Sequence, residues 1–261
     1  MSNEPRRILL KGVANWNQWR KEMHASPLEL RGFHAPGLDL KLVNFSGVDL
    51  SNSNFVEADL SGADLEGADL SHADFTRATL ARANLAHANL TGLTGRAADF
   101  SGVSFRDAKL VDADFSRAVL FGVELNDAEI TRVQFIRANL FNADFLRAVL
   151  VDVNLAAADV GLADFTGARF SSVNLTGARF RNDTKWPVGF DPRASGALLS
   201  DRPDSILIDP DLEIEFDASL TPSQITHTLA ALARYYRACG GVGFEIEFDA
   251  ELARIGDEVH V

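Results

Sequence analysis

Residues 58–62 read Ala-Asp-Leu-Ser-Gly and residues 83–87 read Ala-Asn-Leu-Ala-His. Both are copies of a five-residue unit whose centre is apolar. The centres run Leu40, Phe45, Leu50, Phe55, Leu60, Leu65 and onward to Leu175 and Phe180, twenty-nine consecutive units in one register, with Gly95 the single exception. Two residues before each centre sits Ala or Val, except at Leu38, Ser53 and Leu93, and the residue between is often Asp or Asn. A period of five matches neither the 3.6-residue turn of a helix nor the two-residue pleat of a strand, so the chain is a repeat architecture.

The unit resembles the pentapeptide-repeat family over residues 36–180. That resemblance implies a mainly β fold, a right-handed quadrilateral parallel β-helix with four units to a coil. The centre and the small residue two before it would face inward and the other three would face solvent. Twenty-nine units then predict about seven coils, a rod of roughly 35 Å at the spacing of neighbouring strands. The coils pair only with their neighbours, so both rod ends need caps. Asp, Asn, Ser, Thr and Gly outside suit tight corners. Positions twenty residues apart stack, so Phe55, Phe75, Phe115 and Phe135 form an internal column. Gly95 interrupts it, where the core is expected to thin, with Leu93 filling part of the space.

Four regions follow. Residues 1–35 form an N-terminal cap, with an amphipathic helix over 8–25 marked by Val13, Trp16, Trp19 or Arg20, and Met23, stopped near Pro27. Residues 36–180 are the β-helix. Residues 181–204 are an exit cap and linker, in which Trp186 and Phe190 plug the last coil. Residues 205–261 read strand, helix, strand: Leu212, Ile214 and Phe216 alternate with acids, Thr221-Pro222-Ser223-Gln224 starts a helix, Gly240 and Gly241 stop it, and Val242, Phe244, Ile246 and Phe248 alternate again. The helix end Tyr235–Gly241 resembles small accessory units attached to bacterial signalling and defence proteins.

The net charge is −12. Residues 36–180 hold twelve basic against nineteen acidic groups, and residues 197–261 hold four against thirteen. Direct nucleic-acid binding needs a basic footprint and is disfavoured. A basic protein partner fits. The longest apolar runs fall short of a membrane span, the N-terminus lacks a signal-peptide core, and the single Cys239 excludes an internal disulfide framework, so a cytoplasmic location is expected.

Two surfaces are candidates for contact. On the rod, outward positions turn apolar at Val111, Val119, Phe121, Ile136, Phe141, Leu146, Val149 and Val151, with Phe121 and Phe141 one coil apart. Such a surface would serve another copy, as a homodimer, a partner protein, or the C-terminal unit folded back. In the C-terminal unit, Glu213, Glu215, Asp217, Glu245, Glu247 and Asp249 share one face of two strands and read as an acidic docking face. Arg77, Arg117 and Arg137 occupy equivalent outward places and read as a ladder of ion pairs. No catalytic constellation, metal spacing or phosphate-binding loop is present, so no cofactor is expected. The reading is a non-enzymatic interaction scaffold, a rigid rod with an acidic docking or dimerisation module, in bacterial signalling or defence. The family resemblance offers an alternative, a DNA-mimicking inhibitor or protector of a type II topoisomerase. An unbroken acidic column would favour mimicry, and an apolar contact at Phe121 and Phe141 would favour scaffolding.

Overall fold

A computed structural model of the chain describes residues 4–22 and 28–200. The chain divides into two units, Met1–Ser200 and Asp201–Val261, and the described residues all lie in the first. The strand–helix–strand reading of 205–261 and its six carboxylates lie outside the described residues.

Helices α1 (Glu4–Leu9) and α2 (Val13–Glu22) precede a parallel solenoid. Its strands are short: β1 (Leu28–Glu29), β2 (Val48–Asp49), β3 (Lys109–Val111), β4 (Glu129–Thr131), β5 (Val149–Val151), β6 (Arg169–Ser171), β7 (Arg179–Phe180) and β8 (Leu198–Leu199). Between them single parallel bridges carry the ladder, joining residues twenty apart up to Asp159, as in Asp49 to Asp69 and Asp69 to Asn89. The core holds the repeat's centres and the small residues two before them, nearly all fully buried.

The corners explain the five-residue period. Every fifth residue from Gly32 to Gly177 lies in the left-handed region, with φ between +53° and +70°. The Asp or Asn before the centre prepares this turn. Its Oδ1 accepts the N–H two residues on, at 2.9 Å from Ser51 to Asp49 and 3.0 Å from Val56 to Asn54. The side chain takes up a backbone donor that a turning chain cannot offer to its neighbour. Single replacements such as Val119, Glu124 and Gln134 leave the turn in place, but on one side of the rod the sequence abandons this device over four successive coils. There Asp49, Asp69 and Asn89 give way to Lys109, Glu129, Val149 and Arg169, which cannot form so short a loop. The backbone stays extended for three residues, and β3–β6 form a four-stranded parallel sheet in register.

The solenoid has about nine turns rather than seven. It opens with β1 pairing β2, so a turn precedes Leu40, with Leu30 and Ala35 fully buried. It closes with β7 pairing β8, inside the segment read as exit cap and linker. The last turn escapes a period search because its spacing is irregular. Asp164 pairs with Lys185, twenty-one residues on, and Arg179 with Leu198, nineteen on. The N-terminal helix expected over 8–25 is two helices, broken where Gly12 takes φ +108°.

The phenylalanine column is present, with Phe55 on Phe75 at 4.8 Å and Phe115 on Phe135 at 5.6 Å between ring centroids. The core does not thin at Gly95. The ring of Phe100 leans into the gap and meets Phe115 edge-on at 5.1 Å. A Cβ at residue 95 would lie 2.9 Å from Phe100 and 3.1 Å from Phe115. Restoring the repeat with Gly95→Leu is therefore expected to destabilise the rod by about 1–3 kcal/mol through overpacking. Urea denaturation checks this, and a raised midpoint would show that the rings yield.

Candidate interaction surfaces

Among the described residues the candidate contacts lie in the columns of outward side chains, one coil above another. The column holding Phe121 and Phe141 continues to Gly161 and Arg181. The two rings stack face to face, 6.0 Å apart and 6° from parallel, and both are half-buried. Gly161 leaves room above them: a Cβ there would approach the Phe141 ring to 2.9 Å. The Arg181 guanidinium sits 4.8 Å over the Phe141 centroid. Such a cation lies favourably on the ring face. Beneath Gly161, Asp159 is 8% exposed and accepts the Gly161 N–H at 2.8 Å. Burial pushes its carboxyl up, against the pull of that hydrogen bond and of Arg181 and Arg179.

Just past the corner from the ring pair runs the column Glu124, Asp144 and Asp164, in ladder register. Lys185 closes it, 2.7 Å from Asp164, and holds that carboxyl below its ordinary range despite burial. Glu124 is exposed. The stacked rings are thus bordered by acid on one side and by Val119 and Asn139 on the other.

The eight outward apolar residues do not gather around this pair. Val111, Val149 and Val151 lie on the side built by β3–β6, across the rod. Ile136 sits at the corner after Phe135, and Leu146 at the corner before β5. All eight are half-buried, and the large apolar side chains that stand out furthest are elsewhere: Leu10, Leu38, Leu42, Val188 and Leu198.

Charged residues pair between coils. Arg77 meets Glu57 at 3.2 Å, Lys41 meets Asp59 at 2.9 Å, and Arg132 and Arg147 each grip the aspartate one coil below, Asp112 and Asp127. The Arg132 and Arg147 hydrogen bonds hold those two carboxyls below their ordinary range. Exposed pairs of this kind add little stability. No acidic column runs unbroken: Asp39, Asp59 and Asp99 share theirs with Thr79, Val119 and Arg179. Among the described residues no cluster of His, Cys, Asp and Glu could hold a metal ion, and no helix is long and apolar enough to cross a membrane.

Polar side chains of α2 shape the rod's open end in a role that the helical pattern does not give them. Asn17 on α2 gives its Nδ2 to Leu42 O and takes the Asn44 N–H on its Oδ1, both at 2.8 Å. Arg20 donates to Ser46 O. Only the position of α2 on the first coil assigns them this task.

The five-residue pattern matches the family described as pentapeptide repeats, in eight copies over residues 29–62, 58–92, 98–133, 128–167 and 148–182. No curated protein matches the chain. Among solved structures it is similar to a pentapeptide repeat protein from the Arabidopsis thaliana thylakoid lumen, at 30% identity over 49% of this chain and 74% of that one, TM-score 0.36. It is similar to Rfr23 from the cyanobacterium Cyanothece 51142, at 22% identity over 67% and 99%, TM-score 0.33. It is also similar to full-length QnrB1, a plasmid-mediated fluoroquinolone resistance protein, at 19% identity over 66% and 94%, TM-score 0.31.

Proposed function

Because the chain belongs to the pentapeptide-repeat family, we propose that it is a non-enzymatic scaffold whose rod presents a docking surface to a basic protein segment. One observation carries the reading: the half-buried, face-to-face pair Phe121–Phe141 bordered by the Glu124–Asp144 column. An extended basic segment can lay an arginine or lysine across the rings and turn a second cation toward the carboxylates. Arg181 already occupies one ring face in this manner, and so illustrates the chemistry. The alternative of DNA mimicry asks for an unbroken acidic column. The interruptions at Thr79, Val119 and Arg179 support the scaffold instead.

The test is a panel of extended peptides rich in arginine and lysine, titrated calorimetrically against the whole chain. Phe121→Ala with Phe141→Ala is expected to weaken the best binder at least about tenfold, as central aromatic anchors do. Glu124→Lys is expected to weaken it and to flatten its dependence on salt. Binding that survives both changes would move the docking surface off this column.

A further inference from the structure

On the β3–β6 side, across the rod from the phenylalanine pair, three exposed charges stand without a partner. Among the described residues Lys109, Glu129 and Arg169 make no ion pair and no side-chain hydrogen bond. They share one ladder column, which reads along the rod Glu29, Asp49, Asp69, Asn89, Lys109, Glu129, Val149, Arg169, with Asp49 already paired to Arg31 within the chain. The companion column two residues on is small and uncharged: Ser71, Thr91, Val111, Thr131, Val151, Ser171. Over Lys109, Glu129, Val149 and Arg169 the two columns stand on the regular four-stranded sheet β3–β6.

We propose that this side is a self-association surface that joins two copies of the chain antiparallel, with a two-fold axis crossing the face between Lys109 and Glu129. When such an axis lies along the strand direction, each column faces itself reversed. Lys109 then meets the other copy's Glu129, Asp69 meets its Arg169, and Asn89 meets its Val149, each contact occurring twice. Val111 meets Thr131, and Ser71 meets Ser171. Every charge from Asp69 to Arg169 finds its opposite.

No other register does this. Moving the axis onto Glu129 or onto Lys109 sets like charges face to face. Moving it between Glu129 and Val149 sets Lys109 against Arg169. Parallel rods would bring the charged column against the neutral one and leave all of its charges unpaired. The charged corner residues beside the face have partners within the chain: Arg132 bonds Asp112 and Arg147 bonds Asp127, Asp107 lies within the field of Arg147, Arg106 within reach of Asp127 and Asp152 within reach of Arg132, and Glu66 accepts from Asn84. They neither supply nor oppose the pairing.

The face is modest. Six coils at the strand spacing, three residues wide, give about 300 Å² of plan area per copy. A standard interface takes roughly 800 Å² per partner. The dimer is accordingly weak, fast to exchange and sensitive to salt, since its specificity is electrostatic.

Sedimentation equilibrium of the full chain at low and high salt tests it. Wild type is expected to dimerise at low salt and to dissociate as salt rises. Lys109→Glu and Glu129→Lys, made separately, each place like charges across the axis and should weaken the dimer by about tenfold or more. Mixed in equal amounts, these two variants regain full complementarity and should form a heterodimer. Asp69→Arg mixed with Arg169→Asp repeats the experiment further along the face, should either of the first pair fold poorly. Phe121→Ala with Phe141→Ala leaves this dimer intact, which separates it from the docking surface proposed above. A wild type that stays monomeric at its highest soluble concentration in low salt overturns the proposal. So do charge variants that dimerise as wild type does, or mixtures that stay monomeric.

Discussion

Replacing Trp16 with alanine is expected to destabilise the rod by about 3–5 kcal/mol, the range for removing a fully buried aromatic. Trp16 has no solvent exposure. Its ring meets Phe45 edge-on at 5.5 Å and Trp19 at 5.3 Å, and its Nε1 donates to Asn44 O at 2.7 Å. The last contact matters because residues 42–46 form the edge of the solenoid, and an uncovered edge leaves backbone groups unpaired. Trp16, Asn17 and Arg20 supply in side chains what a further coil would supply in backbone. Trp16→Phe keeps most of the ring and loses the hydrogen bond, so it should cost nearer about 1 kcal/mol. Contacts in a solenoid run only between neighbouring coils, so the damage should stay local. Hydrogen exchange should show the amides of the first coils losing protection while those near Leu140 and Leu150 keep theirs. Uniform loss along the rod would mean that the coils unfold as one cooperative block.

The inward half of this architecture is legible in sequence because each coil makes the same demand every five residues. Leu60 and Ala58 are fully buried for reasons that apply equally to Leu85 and Ala83. What escapes is whatever breaks the period or depends on it being wound up. Ala35 is too small to read as a centre, and the final turn shifts by one residue and back again, so a turn at each end went uncounted. Gly95 reads as a void, yet it is filled by Phe100, whose tilt depends on the shape of the gap. The outward apolar residues Val111 to Val151 read as one cluster in sequence. Winding sends Val111, Val149 and Val151 to one side and Phe121 and Phe141 to a corner across the rod. The charge pattern of Asp69, Lys109, Glu129 and Arg169 follows from the same twenty-residue stacking, but only the wound chain shows that Lys109, Glu129 and Arg169 find no ion pair among the described residues.

Phe165→Ala is the other change expected to cost about 3–5 kcal/mol, and it acts at the opposite end. Phe165 is fully buried and stacks between Phe145, at 4.6 Å and 17°, and Trp186, at 5.0 Å and 10°. Phe170 meets its edge at 5.4 Å. Trp186 in turn carries Phe180 edge-on at 5.7 Å and Phe190 at 5.4 Å. The C-terminal plug therefore stacks on the core through Phe165, while Phe170 and Phe180 meet Trp186 from the side and Thr184 and Lys185 bond to the coil below. The two caps differ in kind. Trp16 anchors by a hydrogen bond as well as by area, whereas Trp186 Nε1 finds no acceptor among the described residues and holds by its ring alone. Aromatic contacts, stacked or edge-on, add about 0.5–1.5 kcal/mol each beyond their buried area. Removing Phe165 forfeits three of them and leaves a cavity that the stiff ladder cannot close. The fluorescence of Trp186, isolated by changing Trp16 and Trp19 to phenylalanine in the background chain, reports the outcome. In Phe165→Ala it should shift to the red at a lower urea concentration than the loss of β-structure seen by circular dichroism, because the plug releases before the coils unwind. Coincident transitions would mean that Phe180 and Phe190 hold the plug without Phe165.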